Sequence, residues 1–225
     1  MQAPISVIIP TLNAASRLGP CLGALSDALS EGLLTEVIFA DGGSEDDTSL
    51  IAEEVGAVFL PTRKGRGSQM AEAAVIARGE WFLFLHADSV LGNGWTDIVA
   101  ARLAQKTKAG YFHLRFDSTA LPAKTVAKWA NFRAKIFHLP YGDQGLLISR
   151  KLYEEIGGFP DIPLMEDVAI AKKLGKCLTP INIPITTSAE KYIAQGWTKR
   201  SFRNFGILLR YKFGADPVKL AQEYR

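Results

Sequence analysis

Residues 81–88 read Trp81-Phe-Leu-Phe-Leu-His-Ala-Asp88, five consecutive apolar side chains running out into a histidine and an acid. A strand with one wet face alternates apolar and polar residues. An unbroken apolar run therefore predicts a strand covered on both faces, as in a parallel sheet flanked by helices. The neighbouring sequence agrees. Strand-like runs at Ile5–Pro10, Glu36–Ala40, Ala57–Leu60 and Glu80–Leu85 alternate with helical patterns at Ala14–Leu29, Asp47–Glu54 and Ser68–Ala77. The Ser44-Glu-Asp-Asp-Thr48 segment supplies caps and N-terminal acids for the second helix. This alternation predicts an α/β fold with a doubly wound, mostly parallel sheet and flanking helices. In such sheets ligands sit outside the carboxyl ends of the strands.

The second half is less regular. Gly110–Phe116 reads as a strand and Leu121–Phe137 as an amphipathic helix; Tyr141–Gly145 is a turn, Leu146–Ser149 a short strand and Arg150–Ile156 a helix. A Gly/Pro-punctuated loop over Gly157–Met165 leads into a helix at Glu166–Leu174, then a strand at Leu178–Ile185 and a helix at Trp197–Phe213. No linker or repeat divides the chain. The expectation is one catalytic domain over 1–225, with a ligand-binding half to about 110, a second half over about 111–190 and a basic tail from about 191.

Composition bounds the class. With 225 residues, 48% hydrophobic and 22% charged, the chain is globular rather than disordered, collagenous or coiled-coil. No apolar run approaches the ~20 residues of a membrane span, and Met1-Gln-Ala-Pro4 leads straight into a strand without a signal peptide's basic and apolar regions. Two cysteines, Cys21 and Cys177, make neither a disulfide framework nor a metal cluster. These features point to a cytoplasmic protein. The net charge of +3 divides into +5 for residues 190–225 and −2 for the rest.

Three acids fall where ligands are expected: Asp41 at the end of the second strand, Asp88 after the fourth, and Asp167 in Pro163-Leu-Met-Glu-Asp-Val168. Each alone can be a turn-former or a helix cap. Together, carboxylates leaving parallel strands converge on one edge, where they can accept a ligand's N–H and O–H groups or hold Mg²⁺ or Mn²⁺. Arg63-Lys-Gly-Arg-Gly-Ser-Gln69 follows the third strand and opens a helix. Its glycines, helix N-terminus, Lys64 and Arg66 suit a diphosphate, although it is neither a P-loop nor Gly-x-Gly-x-x-Gly.

Ser6-Val-Ile-Ile-Pro-Thr-Leu-Asn13, Val37-Ile-Phe-Ala-Asp-Gly-Gly-Ser44, Trp81–Asp88 and Met165-Glu-Asp167, in this order and spacing, resemble the family-2 glycosyltransferases of GT-A fold. The resemblance spans about residues 4–175. It is nearest to a compact bacterial subgroup with the His-Ala-Asp form, a Gly142-Asp-Gln-Gly145 turn and an ending like Phe213-Gly-Ala-Asp-Pro217. It implies that Pro10, Thr11, Asn13 and Gly43 line a nucleotide pocket, that Asp41 hydrogen-bonds the base, and that Lys64, Arg66 and Gln69 meet the donor. It further implies that Asp88 holds a Mn²⁺ or Mg²⁺ ion and that Asp167 is the general base, with Glu166 the adjacent alternative. His86 replaces the first acid of the family's metal motif. It is either a second ligand or an orienter of Asp88 or phosphate. Tyr141, Asp143, Gln144 and Trp197 are the acceptor-side candidates.

The implied reaction is inverting transfer of one sugar from a nucleotide-diphosphate sugar, UDP-linked by resemblance, to an unidentified hydroxyl acceptor. The Gln-x-x-Arg-Trp signature of processive synthases is missing, since Gln195-Gly-Trp-Thr198 does not match it. A nucleotidyltransferase would need a glycine-rich loop where Pro10-Thr-Leu-Asn-Ala-Ala-Ser16 stands. A non-catalytic sugar-nucleotide-binding protein is the other alternative. Nothing in the pattern asks for nucleic acid. Residues 197–213 interleave aromatic and basic side chains, which suits either peripheral contact with the inner face of a membrane and a lipid-linked acceptor, or packing on the domain with the charges solvated.

Overall fold

The computed structural model describes residues 3–224. In chain order the elements are β1 (Ile5–Thr11), α1 (Ala15–Gly23), α2 (Ser26–Ser30), β2 (Leu34–Asp41), α3 (Thr48–Glu54), β3 (Val58–Pro61), α4 (Arg66–Ile76), β4 (Trp81–Phe84), β5 (Val90–Leu91) and α5 (Trp95–Arg102). There follow β6 (Ala109–Phe116), α6 (Leu121–Phe137), β7 (Leu146–Ser149), α7 (Arg150–Glu155), α8 (Glu166–Leu174), β8 (Leu178–Thr187), α9 (Glu190–Gln195), α10 (Trp197–Lys212) and α11 (Pro217–Tyr224). A 3₁₀ turn at Gly142–Gln144 precedes β7.

Among the described residues the strands form one eight-stranded sheet in the order β3-β2-β1-β4-β7-β6-β8-β5. The first four are parallel, β7 runs against both β4 and β6, β8 is parallel to β6, and β5 is antiparallel to β8. The expected mostly parallel sheet is present. The all-apolar run becomes β4, buried along its whole length. Its side chains divide by the two-residue period of a strand. Phe82 and Phe84 join Ile8, Ile38 and the inner faces of α4, α8 and α10, whereas Trp81, Leu83 and Leu85 join Val7, Ile9 and the inner faces of α1, α2 and α5. Helices therefore cover both faces, and the polar exits from the centre lie at the strand ends.

Two departures from the sequence reading have physical causes. The helix expected over Ala14–Leu29 is two helices, broken at Ala24-Leu25. There the Trp95 indole N–H donates to the Ala24 carbonyl at 2.8 Å, taking an acceptor that a continuous helix would use. The strand expected to end at Ile185 continues to Thr187 because Arg115 and Phe116 of β6 pair with Thr186 and Thr187, with β5 pairing Ile185 and Thr186 on the other edge. β5, α5, α9 and α11 gave no periodic signal strong enough to read. The tail packs on the body through Ile207, Leu208 and Leu220, all buried in the core cluster, while Phe202, Phe205, Leu209 and Phe213 stay exposed on α10 or just beyond it. Among the described residues no helix is long and apolar enough to cross a membrane.

Candidate active site

The ends of β1 and β2 stand side by side, Thr11 in register with Asp41. Asp41 is 2% exposed and its carboxylate serves its own turn. It accepts from Thr11 Oγ1 at 2.8 Å, from the Gly43 and Ser44 N–H groups at 2.9 and 2.7 Å, and from Ser44 Oγ. Burial pushes its pKa up, but the Ser44, Thr11 and Gly43 donors outweigh that and hold it below the usual carboxylate range. Gly43, at φ 94°, adopts the left-handed backbone that lets the turn close. Asn13, at φ 48°, braces the turn from outside, its Oδ1 accepting from Glu45 N–H at 2.9 Å. Gln69 reaches in from α4, its amide donating to the Thr11 and Ala40 carbonyls at 2.8 and 2.7 Å.

Beside this turn opens a cleft of about 500 Å³, with Pro10, Thr11 and Gln69 along one wall and His86 and Asp88 at its inner end. Arg17, Lys64, Arg66, Lys191 and Arg200 also line it. Burial, then the charge of Arg17, and after it those of Arg200 and Arg66, pull the Lys191 pKa below its ordinary value against the opposing pull of Asp88. So many cations around one hollow suit an anionic ligand, which would relieve their mutual repulsion.

A second pocket of about 160 Å³ shares Arg66, His86, Asp88, Lys191 and Arg200 with the cleft and adds Tyr141, Asp143, Asp167 and Tyr192. Asp167 is placed by the left-handed Met165 (φ 67°), which starts α8 abruptly. Its Oδ2 accepts from Gly142 N–H at 2.9 Å and its Oδ1 from Val168 N–H at 2.7 Å. On a helix adjacent side chains point about 100° apart, and the Glu166-Asp167 pair divides accordingly. Glu166 is 1% exposed and turns to Arg66, whose Nε lies 3.0 Å from its Oε1. Burial lifts Glu166 to about 7, with Arg66 pulling it down and Asp167 pushing it up.

His86 is neutral, its pKa pushed down to about 4 by burial and then by Arg66, with Asp88 opposing. Its ring packs on the Gly142 backbone, where an added Cβ would lie 2.7 Å from Nε2. Asp88 accepts from Thr187 Oγ1 at 3.2 Å. Among the described residues no group of three His, Cys, Asp or Glu side chains could hold a metal. A single carboxylate facing a hollow with room for phosphates still fits Mg²⁺ or Mn²⁺, which complete their shells with substrate phosphate and water. Asp88 would hold such an ion, and His86 stands next to it.

Not every expected residue reaches the clefts. Gln144 is fully buried, donating to the Phe112 carbonyl at 3.2 Å and to Asn131 Oδ1 at 3.3 Å. Trp197 stacks behind Tyr192, ring centroids 4.9 Å apart, and it is Tyr192 that faces the pocket. The reading of the sequence passed over Arg17, Lys191, Tyr192, Arg200 and Asn204. The cluster of positive charge after residue 190 was the only signal for the last four, and α9, which carries Lys191 and Tyr192, is too short to show a period.

The family model for glycosyl transferase family 2 matches residues 6–118, half of the chain. The chain belongs to glycosyl transferase family 2. A relative from Mycobacterium bovis, the PGL/p-HBAD biosynthesis glycosyltransferase, is 35% identical over 99 residues, 40% of this chain and 38% of that protein. The matched stretch is well under half the length of the curated relatives it resembles. The solved mannosyltransferase PcManGT of Pyrobaculum calidifontis, in complex with GDP-Man and Mn²⁺, superposes with TM-score 0.67 at 18% identity, covering 97% of this chain and 68% of its own. Glucosyl-3-phosphoglycerate synthase of Mycobacterium tuberculosis, in complex with Mn²⁺, UDP and phosphoglyceric acid, superposes with TM-score 0.56 at 20% identity, covering 80% and 68%. These likenesses show the GT-A fold.

The buried Glu166 makes a checkable demand. A carboxyl whose folded pKa is raised contributes stability below its unfolded pKa, and that contribution disappears as pH rises through the folded value of about 7. Glu166→Gln has no proton to lose. Its stability relative to wild type, by urea unfolding, is expected to rise from the ordinary glutamate value of 4.5 to about pH 7 and to level off above it. A pH-independent difference would contradict the assignment.

Proposed function

We propose that the chain transfers a single sugar from a nucleotide-diphosphate sugar to an acceptor hydroxyl, with inversion at the anomeric carbon. The observation that carries this reading is that Asp88 and Asp167 face one pocket that is continuous with the cationic cleft. In this reading the cleft takes the donor. The base lies against the turn that Asp41 shapes, between Pro10, Thr11 and Gln69, and the diphosphate lies among Lys64, Arg66, Lys191 and Arg200. A Mg²⁺ or Mn²⁺ ion held by Asp88 would supply Lewis-acid stabilisation of the leaving diphosphate.

Asp167 takes the acceptor hydroxyl's proton on a carboxylate oxygen as the acceptor oxygen bonds to C1 and the C1–O bond to the diphosphate breaks. Gly142 and Val168 N–H groups aim that carboxylate. In this reading Glu166 leaves the task to Asp167 and ties Arg66, a diphosphate ligand here, to the helix of the base; its pairing with Arg66 supports that division. UDP is the proposed nucleotide. The UDP and UDP-GlcNAc complexes of the two neighbours glucosyl-3-phosphoglycerate synthase and S. aureus TarS support it, and the GDP-Man complex of PcManGT makes GDP the comparison.

A thermal-shift panel of UDP- and GDP-sugars with Mn²⁺ or Mg²⁺ tests the donor, followed by turnover on an acceptor panel. UDP-sugar binding without turnover on any acceptor would leave a sugar-nucleotide-binding protein. Asp167→Asn is expected to lower turnover by ~10²-fold or more with donor affinity kept. If Glu166→Gln abolishes turnover and Asp167→Asn does not, the roles are reversed. Asp88→Ala is expected to remove the Mn²⁺ dependence of donor binding, measured by calorimetry. Gly142→Ala pushes a methyl group into His86 and toward Asp167, so turnover is expected to fall by ~10²-fold with little change in melting temperature.

A further inference from the structure

Next to the catalytic pocket lies a second hollow of different character. It measures about 330 Å³ and runs between α6 and α10, floored by Leu114 and walled by Val126, Trp129 and Phe137 on one side and Phe205 and Leu208 on the other. It joins the pocket of Asp167 through Tyr141, Asp143, Tyr192 and Asn204, which line both. Its size and apolar lining with a few polar groups are those of a ligand site, ~300–1,000 Å³. Among the described residues, Nη2 of Arg133, which lines the hollow and is only 8% exposed, and Oδ1 of Asp143 at the junction have no hydrogen-bond partner. Unpaired buried polar atoms are costly, and a ligand's polar group would satisfy them.

The surface around the mouth is equally specific. Trp129, Phe132, Ile136 and Phe137 of α6 are each more than half exposed, and Phe202 and Phe213 at α10 are 72% and 88% exposed. The two helices carry nine lysines and arginines between them and no acidic residue. Five of these, Lys124, Lys128, Lys135, Lys199 and Lys212, are exposed, and exposed aromatic and aliphatic side chains set among lysines match an anionic lipid surface.

Resting on the glycosyltransferase reading above, we infer that the acceptor is a lipid. Its hydrocarbon chain lies between α6 and α10, its polar head meets Arg133 and Asp143, and its hydroxyl reaches Asp167. The exposed face of the two helices rests on the membrane that holds it.

The test uses the full chain and does not depend on turnover. Octyl, decyl and dodecyl β-maltoside, below their micellar concentrations, are titrated by calorimetry, with UDP titrated into the same samples. Affinity is expected to rise about fifteenfold for every two added methylenes, the factor given by ~0.8 kcal/mol per buried CH₂. Val126→Trp, which fills the hollow, is expected to abolish the chain-length dependence. A dodecyl maltoside brominated on its chain is expected to quench tryptophan fluorescence in wild type and, compared at equal occupancy by calorimetry, far less in Trp129→Phe. Vesicles containing phosphatidylglycerol are expected to sediment the protein at low salt and release it at high salt. Affinity independent of chain length, or no sedimentation at low salt, overturns the inference. If UDP binds normally in those samples, the glycosyltransferase reading survives; if UDP also fails to bind, that reading falls separately.

Discussion

The crossing of α4 over the start of α8 is the contact on which the site depends. Gly67 lies so close to the loop before α8 that a Cβ there would be 2.7 Å from the Pro160 carbonyl and 3.1 Å from Glu166 Cβ. Only a glycine allows this approach. One residue earlier, Arg66 closes the crossing with its ion pair to the buried Glu166. The consequence is positional. α4 begins with the basic turn that follows β3, and α8 carries Asp167 in its first turn, so the crossing fixes the separation between the cations of the cleft and the carboxylate of the adjoining pocket. Gly142 does the same from the other side, its N–H on Asp167 and its bare Cα against His86.

Electrostatics divide the site into regions with different tasks. The cleft gathers Arg17, Lys64, Arg66, Lys191 and Arg200 around the lone carboxylate of Asp88, an arrangement that favours a polyanion with an ion of its own. The small pocket evens the balance, setting Asp143, Asp167 and Asp88 beside Arg66, Lys191 and Arg200. Asp143 is raised to about 6 by burial, with Arg133 drawing it down and Asp167 and Asp88 pushing it up. A diphosphate-bearing donor suits the more cationic region and a hydroxyl-bearing acceptor the one richer in carboxylates, and the two regions meet at His86 and Asp88.

Much of this was legible in the sequence, for identifiable reasons. The apolar run Trp81–Leu85 read as a strand buried on both faces, and the strand-end rule then led to Asp41, Asp88 and Asp167. The pairing of Glu166 with Arg66 was not legible, because it depends on a crossing of helices far apart in sequence. Gln144 was chosen as a ligand contact, yet it is fully buried and spends its amide on the Phe112 carbonyl and Asn131, which residue type alone does not reveal. Asp41 was legible in place but not in contact, since its carboxylate serves the turn. Lys191, Tyr192, Arg200 and Asn204 were hidden in short or irregular segments whose side chains become neighbours of the site only when the tail folds back.

The central claim is that one acceptor oxygen, activated at Asp167, attacks the donor's anomeric carbon on the face opposite a diphosphate held in the cationic cleft. The stereochemistry of the transfer tests it most directly. Proton NMR of the first product formed from an α-linked UDP-sugar, recorded before any anomeric equilibration, reads the configuration at C1. The account predicts a β-linked product. An α-linked product would mean retention and would contradict the roles given to Asp167 and to the cleft.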